Sequence, residues 1–250
     1  MDKVVFHSTN YISEINKVSK NLFLLKRKHF WHESKIIRES FADGWKLFIL
    51  EKTNLPIKIR SNESVFLGTK MSAIFLPPYE IIEWHIPKGY LEWTAYLSPI
   101  PLLVNYSQAI AFDWNQQKNP KNINDIEKIL LNLKKFKIIS LEDNGCSVAK
   151  NTKEFISKNF SKNLSMKDIA LELQIPYSTM THYFKRAYFI SPSEYRQQLR
   201  VTHAGQLIVK DKKNTLDSCF ESGHGDYSNF KEAFKKIFGA TPKEFKEVQL

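Results

Sequence analysis

The sequence predicts an α+β chain, with an N-terminal β-barrel followed by an all-α region in which a helix-turn-helix unit occurs twice. Three observations predict it. Short β-branched and aromatic runs separated by turn residues fill the chain as far as Trp114. From Asn151 onward apolar residues return mainly at three and four positions. Within that second part, two stretches fifty positions apart match without a gap.

The strand-like runs are LFLL, WKLFIL, LPIKIR, VFLGTK, AIFLPP, IIEWHIP and YLEWTAYL, interrupted at Asp43-Gly44, Asn62-Glu63, Pro77-Pro78 and Pro87-Lys88-Gly89. Turn signals at such short intervals suit a small barrel or sandwich, in which no strand needs to be long. We assign residues 1–115 to this barrel domain. A polar, Asn-rich loop follows, and then Ile126, Ile129, Leu130, Leu133 and Phe136 fall at helical spacing. Residues 116–150 are therefore read as an amphipathic helix, placed at 124–138, and a linker; the domain boundary is put at LEDNGCSVAK, residues 141–150. The apolar stripe has two available partners, its own barrel or the same helix of a second subunit.

Residues 151–250 form the helical domain. Tyr177 to Tyr195 reads YSTMTHYFKRAYFISPSEY, and Tyr227 to Phe245 reads YSNFKEAFKKIFGATPKEF. In the first copy Met180, Tyr183, Phe184 and Ala187 make one inward stripe, while Ser178, Thr181, His182 and Lys185 recur at i, i+3, i+4 and i+7 on the outward face. In the second, Phe230, Ala233, Phe234, Ile237 and Phe238 point inward, and Ser228, Lys231, Glu232 and Lys235 outward. Each is preceded by a shorter helix. Ser165 and Asp168 have capping-box spacing, and Gln174-Ile175-Pro176 supplies the turn; Asn214 or Thr215 opens the corresponding helix, Gly223-His224-Gly225 turns the chain, and Asp226 caps the next. One longer helix from Ser193 to Val209 links the copies.

A helix about 10 to 12 Å across fits the B-DNA major groove, where every base pair displays its own donor and acceptor pattern. Two helices held together can read two groove segments about 34 Å apart, with nearby Lys and Arg neutralising phosphates.

Residues 151–248 resemble the C-terminal domain of AraC/XylS-family bacterial transcription regulators. The resemblance rests on LSMKDIALELQIP, MTHYFKRA, ISPSEYRQQLRVTHAGQLI and GHGDYSNFKEAFKKIFGATPKEF. Arg200 and Ala204 stand where the family keeps Arg and Ala in its linking helix, and Gly239-Ala240-Thr241-Pro242 matches its closing signature. It implies base reading by Ser178, Thr181 and His182 in the first unit, and by Tyr227, Ser228, Lys231 and Glu232 in the second. Departures fall at Pro176 (Ser in the family), Phe189 (Gly), Ser218-Cys219 (Ile-Ala) and His224 (Phe). At Glu232 many members carry a basic residue. Upstream, AIFLPPYEIIEWHIP resembles the strand, Pro turn and strand of the cupin-like barrel of such regulators, which in the family binds an effector, a partner or a second subunit. Trp31, Trp45, Phe75, Trp84 and Trp93 are candidates to line a ligand site there, with burial in the core as the competing reading.

The resemblance implies a bacterial activator rather than a repressor. Its expected partners are double-stranded DNA and RNA polymerase, with a small-molecule or protein effector and a homodimer as further candidates. Composition sets limits on other classes. The 250 residues are 42% apolar and 13% aromatic, which excludes a disordered basic tail. The net charge of +11 suits a polyanionic partner, yet residues 1–150 carry +6 and residues 151–250 carry +5, so charge alone does not name the binding half. MDKVVFHSTN has an acid at Asp2 and no leader-like apolar run, and no apolar stretch reaches ~18 residues, so neither export nor membrane spanning is expected. Cys146 and Cys219, too few for a disulfide framework, fit a reducing cytoplasm.

Catalysis is not expected, and neither is a cofactor or a metal. The HFWHE run places His29, His32 and Glu33 at His-x-x-His spacing, which does not match the His-x-His of a cupin metal site. No Gly-rich phosphate loop, nucleophile elbow or HExxH run is present. The rival from another class is a protein-interaction regulator of the same fold that has lost specific DNA reading, motivated by Glu232 and Ser218-Cys219. A cupin-type enzyme with a helical appendage is a third reading and lacks ligands.

Overall fold

The computed structural model describes residues 3–7, 10–60, 65–67, 72–104, 106–115, 119–141 and 146–247. The chain divides into two compact units, one built of Met1–Ile37 and Asp43–Ser140, the other of Arg38–Ala42 and Leu141–Glu247.

Strands β1 (Lys3–His7), β2 (Tyr11–Ser19), β3 (Leu22–Trp31), β4 (Lys35–Ser40), β5 (Trp45–Thr53) and β6 (Ile57–Arg60) are followed by β7 (Val65–Leu67), β8 (Ser72–Leu76), β9 (Ile81–Ile86), β10 (Gly89–Ser98), β11 (Ile110–Asp113) and β12 (Lys137–Ile138). They form an eight-stranded sheet in the order β1-β2-β3-β10-β5-β8-β11-β12 and a four-stranded sheet in the order β4-β9-β6-β7. The sheet-rich architecture matches the expectation, but the barrel is not closed. The large sheet ends at β1 and at β12, which is paired only through Ile110↔Ile138 and Ala111↔Lys137. Turn spacing reports how many short strands there are, whereas closure depends on bonding between the first and last strands, which the pattern of one chain does not encode.

The turn predicted at Asp43-Gly44 is present and needs its glycine: Gly44 has φ +103, and a Cβ there would lie 2.5 Å from the Ser98 carbonyl oxygen. The turn predicted at Asn62-Glu63 lies outside the described residues. Alternation along β5 sends Trp45, Leu47 and Ile49 into one core with Leu22, Ala73, Phe75, Tyr96, Ile110 and Phe112. Helix α1 (Ile123–Leu131), capped by Asn122 accepting from the Asp125 N–H, covers that core with Ile126 and Leu130. Of the two partners open to its stripe, the sheet of its own unit takes it. The helix is shorter than the 124–138 expected, because Asn132 caps it, and Phe136 beyond the end is 45% exposed.

The second unit holds α2 (Ser147–Asn159), α3 (Met166–Glu172), α4 (Tyr177–Tyr188), α5 (Pro192–Lys210), α6 (Thr215–Glu221), α7 (Tyr227–Phe238) and α8 (Pro242–Glu247). The recognition helices α4 and α7 and the short helix α6 pack on α5, while α3 packs on α4. Met180, Phe184, Tyr195, Leu199, Ala204, Phe230 and Phe234 are fully buried there. The same unit includes segment 38–42. Gln198 Nε2 donates to the Arg38 carbonyl (2.9 Å), Gln198 Oε1 accepts from the Ser40 N–H (2.7 Å), and Thr202 Oγ1 accepts from the Ala42 N–H (2.9 Å). Among the described residues, no helix is long and apolar enough to cross a membrane.

Candidate nucleic-acid interface

The two recognition helices start differently. Pro176 precedes α4 and makes no side-chain cap, but its ring removes the need to satisfy one N–H, and Gln174 takes the left-handed backbone (φ 55) that turns α3 into α4. For α3 the expected capping box is present: the Asp168 N–H donates to Ser165 Oγ (3.1 Å) and the Ser165 N–H to Asp168 Oδ2 (2.7 Å). In the second unit Asn214 opens α6, accepting from the Asp217 N–H (2.7 Å), and Asp226 opens α7, accepting from the Asn229 N–H (2.7 Å).

The turn into α7 is tightly built. Gly223 has φ +91, and a Cβ there would lie 2.3 Å from the Ser161 carbonyl oxygen. On either side of Ser161, Arg200 holds the backbone, its Nε donating to the Phe160 carbonyl (2.6 Å) and its Nη2 to the Lys162 carbonyl (2.8 Å). Burial lowers the Arg200 pKa to about 10, with the neighbouring Arg196 adding to the effect. Arg196 donates to the Leu164 carbonyl. Both arginines serve the scaffold.

The second helix-turn-helix buries Ser218, Cys219 and Ser222 completely. Their polar atoms are satisfied locally: Ser218 Oγ donates to the Asn214 carbonyl and Ser222 Oγ to the Cys219 carbonyl, each at 2.8 Å. His224 packs against the Phe230 ring (centroids 4.9 Å apart), with Nδ1 3.0 Å from Ser222 Oγ and Nε2 buried without a hydrogen-bond partner. Burial, and then the positive charge of Arg200, pushes its pKa down to about 4.

Ser178, His182 and Lys185 are exposed together on α4, as are Ser228, Lys231, Glu232 and Lys235 on α7. Thr181 is half-buried, and its Oγ1 is buried without a partner, so its hydroxyl is not presented outward. Tyr227 is half-buried and shares a hydrogen bond of 2.9 Å with Thr215 Oγ1, which ties the start of α7 to α6. Tyr183, expected on the inward stripe, is 37% exposed and lies edge-on to His182 (5.3 Å). Its ring reaches past the stripe because i+3 from Met180 falls at the edge of the apolar arc.

Sequence reasoning missed Arg186, Asn229 and Lys236, all exposed. Arg186 and Lys236 continue the series from Ser178 and Ser228 to i+8, which was the signal available. The charges of Lys185 and Lys236 both act on Glu194, whose carboxyl is held below the usual range chiefly by hydrogen bonds from Ser191. The last turn of each recognition helix therefore adds two cations, Lys185 with Arg186 and Lys235 with Lys236. Outward hydroxyl, imidazole, amide and carboxylate groups flanked by cations can meet base edges while the cations meet phosphates.

A helix-turn-helix family model matches residues 163–247. Residues 163–247 are an AraC-type helix-turn-helix domain. The chain is 26% identical over 91 residues to the virulence regulon transcriptional activator VirF of Yersinia enterocolitica, a match covering 36% of this chain and 34% of that protein. It is 29% identical over 93 residues to the lactose operon transcription activator of Staphylococcus xylosus, covering 37% and 33%. These matches span about a third of each relative. Over 92% of this chain and 99% of the other, the fold is similar to ToxT from Vibrio cholerae O395, with TM-score 0.52 and 13% identity. The likeness of fold thus extends over both units of this chain.

The candidate ligand aromatics do not share one wall. Trp45 and Phe75 stand in the core under α1, with Trp45 Nε1 donating to the Ile100 carbonyl (2.8 Å). Trp84 and Trp93 instead flank Phe48, each 5.4 Å from it, and Phe48 is of opposite strand parity to Trp45. Trp31 stacks on His29 at 3.8 Å. Strand alternation divides what sequence grouped by residue type. Among the described residues no group of three or more His, Cys, Asp or Glu side chains is placed to hold a metal ion.

Proposed function

We propose that this chain is a sequence-specific DNA-binding transcription regulator, acting as an activator, whose two recognition helices read successive major-groove segments of double-stranded DNA. The observation that carries the reading is the paired outward faces of α4 and α7, alike in polarity, both mounted on α5. His182 and Ser178, then Ser228, Lys231 and Glu232, are the base-reading side chains; Thr181 offers its methyl group and Tyr227 the positioning of α7. Lys185, Arg186, Lys235 and Lys236 neutralise phosphates. The sheet unit regulates this activity through an effector, a partner protein or a second copy, and RNA polymerase is the target of activation. The names of the matched activators support that direction. The place of action is the cytoplasm.

Two substitutions test it. His182→Ala is expected to bring the affinities for specific and random duplexes together by roughly tenfold. Lys185→Ala is expected to weaken binding to every duplex and to lower the salt slope by about one. Equal, sequence-indifferent binding by wild type and both variants would overturn the reading in favour of a protein-interaction regulator.

A further inference from the structure

Glu232 is the acidic side chain of the recognition helices; α4 has none, and α7 has no other. It lies exposed on the outward face of α7, next to Lys231 and one turn before Lys235 and Lys236. A Glu four positions ahead of a Lys is the favoured order for a helical ion pair. Even so, among the described residues Glu232 enters no ion pair or hydrogen bond.

Four acids of the same half of the unit are engaged. Asp217 accepts from Asn214, Glu221 pairs with Lys213, Asp226 caps α7, and Glu244 accepts from the Thr241 N–H. Glu232 is left uncommitted in the middle of a basic face. On a surface that meets a polyanion, an uncommitted carboxylate is repelled by phosphate unless it meets a hydrogen-bond donor.

Two donors are available in the major groove, the amino groups of cytosine N4 and adenine N6. Adenine places its N7 acceptor beside that amino group, which suits an amide and opposes a carboxylate. Cytosine carries C5–H rather than an acceptor beside that amino group on its own edge, which leaves one side open to a carboxylate. We propose that Glu232 is a specificity-determining residue that requires cytosine at one position of the segment read by α7. The repeat places His182 at the equivalent position of α4, a side chain able to donate, so the two helices read different bases through one geometry. This rests on the DNA-binding reading above.

The test selects bound duplexes from a randomised pool with the full-length wild type, Glu232→Ala, Glu232→Gln and His182→Ala, each checked for an unchanged helical signal. Wild type is expected to retain cytosine at one position. Glu232→Ala should relax that position by about tenfold, measured by competing duplexes, while binding random duplex more tightly. Glu232→Gln should shift the preference to adenine, whose N6 and N7 match an amide. His182→Ala should relax a different position and leave the cytosine. A cytosine preference unchanged in Glu232→Ala, or a uniform rise in affinity with no positional change, overturns the proposal while His182→Ala still tests the DNA-binding reading. A wild-type chain that selects no sequence overturns both.

Discussion

Replacing His224 by Phe should make the helical unit more stable and reduce its sensitivity to acid. In the folded chain the imidazole is neutral and pushed down to about 4, because burial and Arg200 disfavour its charged form; in the unfolded chain it titrates near 6.5. Between those values the unfolded state binds more protons, so stability present above pH 6.5 is lost as the pH falls toward 4. The full difference is worth at most about 3 kcal/mol, or roughly 2 kcal/mol once the water-accessible part of the ring is discounted. Phe also removes the buried, unpartnered Nε2, a further gain of about 1 kcal/mol at neutral pH. Ser222 Oγ keeps its bond to the Cys219 carbonyl. His29 is pushed down to about 4 in the sheet unit, by burial and then by Arg27, Lys35 and His32, so the two units must be followed separately. All five tryptophans, Trp31, Trp45, Trp84, Trp93 and Trp114, lie in the sheet unit. Urea unfolding followed by ellipticity at 222 nm reports mainly the helices, and tryptophan fluorescence reports the sheets. The 222 nm midpoint of wild type should fall between pH 7.5 and 5, and that of His224→Phe should fall less. Identical pH dependence in the two proteins would refute the reasoning.

Other perturbations separate scaffold from interface. Gly223→Ala combines a left-handed backbone with a clash against the Ser161 carbonyl, and should cost about 2–4 kcal/mol and abolish specific binding, measured by thermal unfolding and mobility shift. Asp226→Ala removes the cap of α7 and should cost about 1 kcal/mol in the same unfolding experiment. Gln198→Leu strips the Arg38 carbonyl and the Ser40 N–H of their side-chain partner; a loss of about 2 kcal/mol and faster proteolysis at 38–42 are expected.

The helical unit was the more legible because its signals are local. Ser165 with Asp168, Asn214, Gly223 and Asp226 each mark a helix end within three residues, and the structure uses each one. The outward faces followed from helical period, except where a residue sits at the edge of the arc, as Thr181 and Tyr183 do. The sheets were less legible because register is non-local. Which face Trp45 or Trp93 takes depends on pairing between β5 and β10, including a bulge between Glu92 and Trp93. Segment 38–42 offers no sequence sign that it belongs to the helical unit; its bonds reach Gln198 and Thr202, about 160 positions away. The polar cluster around His224 was visible as departures from the family, while its satisfaction by backbone carbonyls was not.

The central claim is that this chain reads DNA sequence through α4 and α7. Binding of the purified chain to the DNA upstream of its own gene, and to a random duplex of equal length, should be measured over a range of salt concentrations. The account predicts a complex with the upstream DNA that survives near physiological salt, with a steep salt slope and an affinity at least about a thousandfold above that for the random duplex. Equal, weak binding to both, vanishing with modest salt, would contradict it.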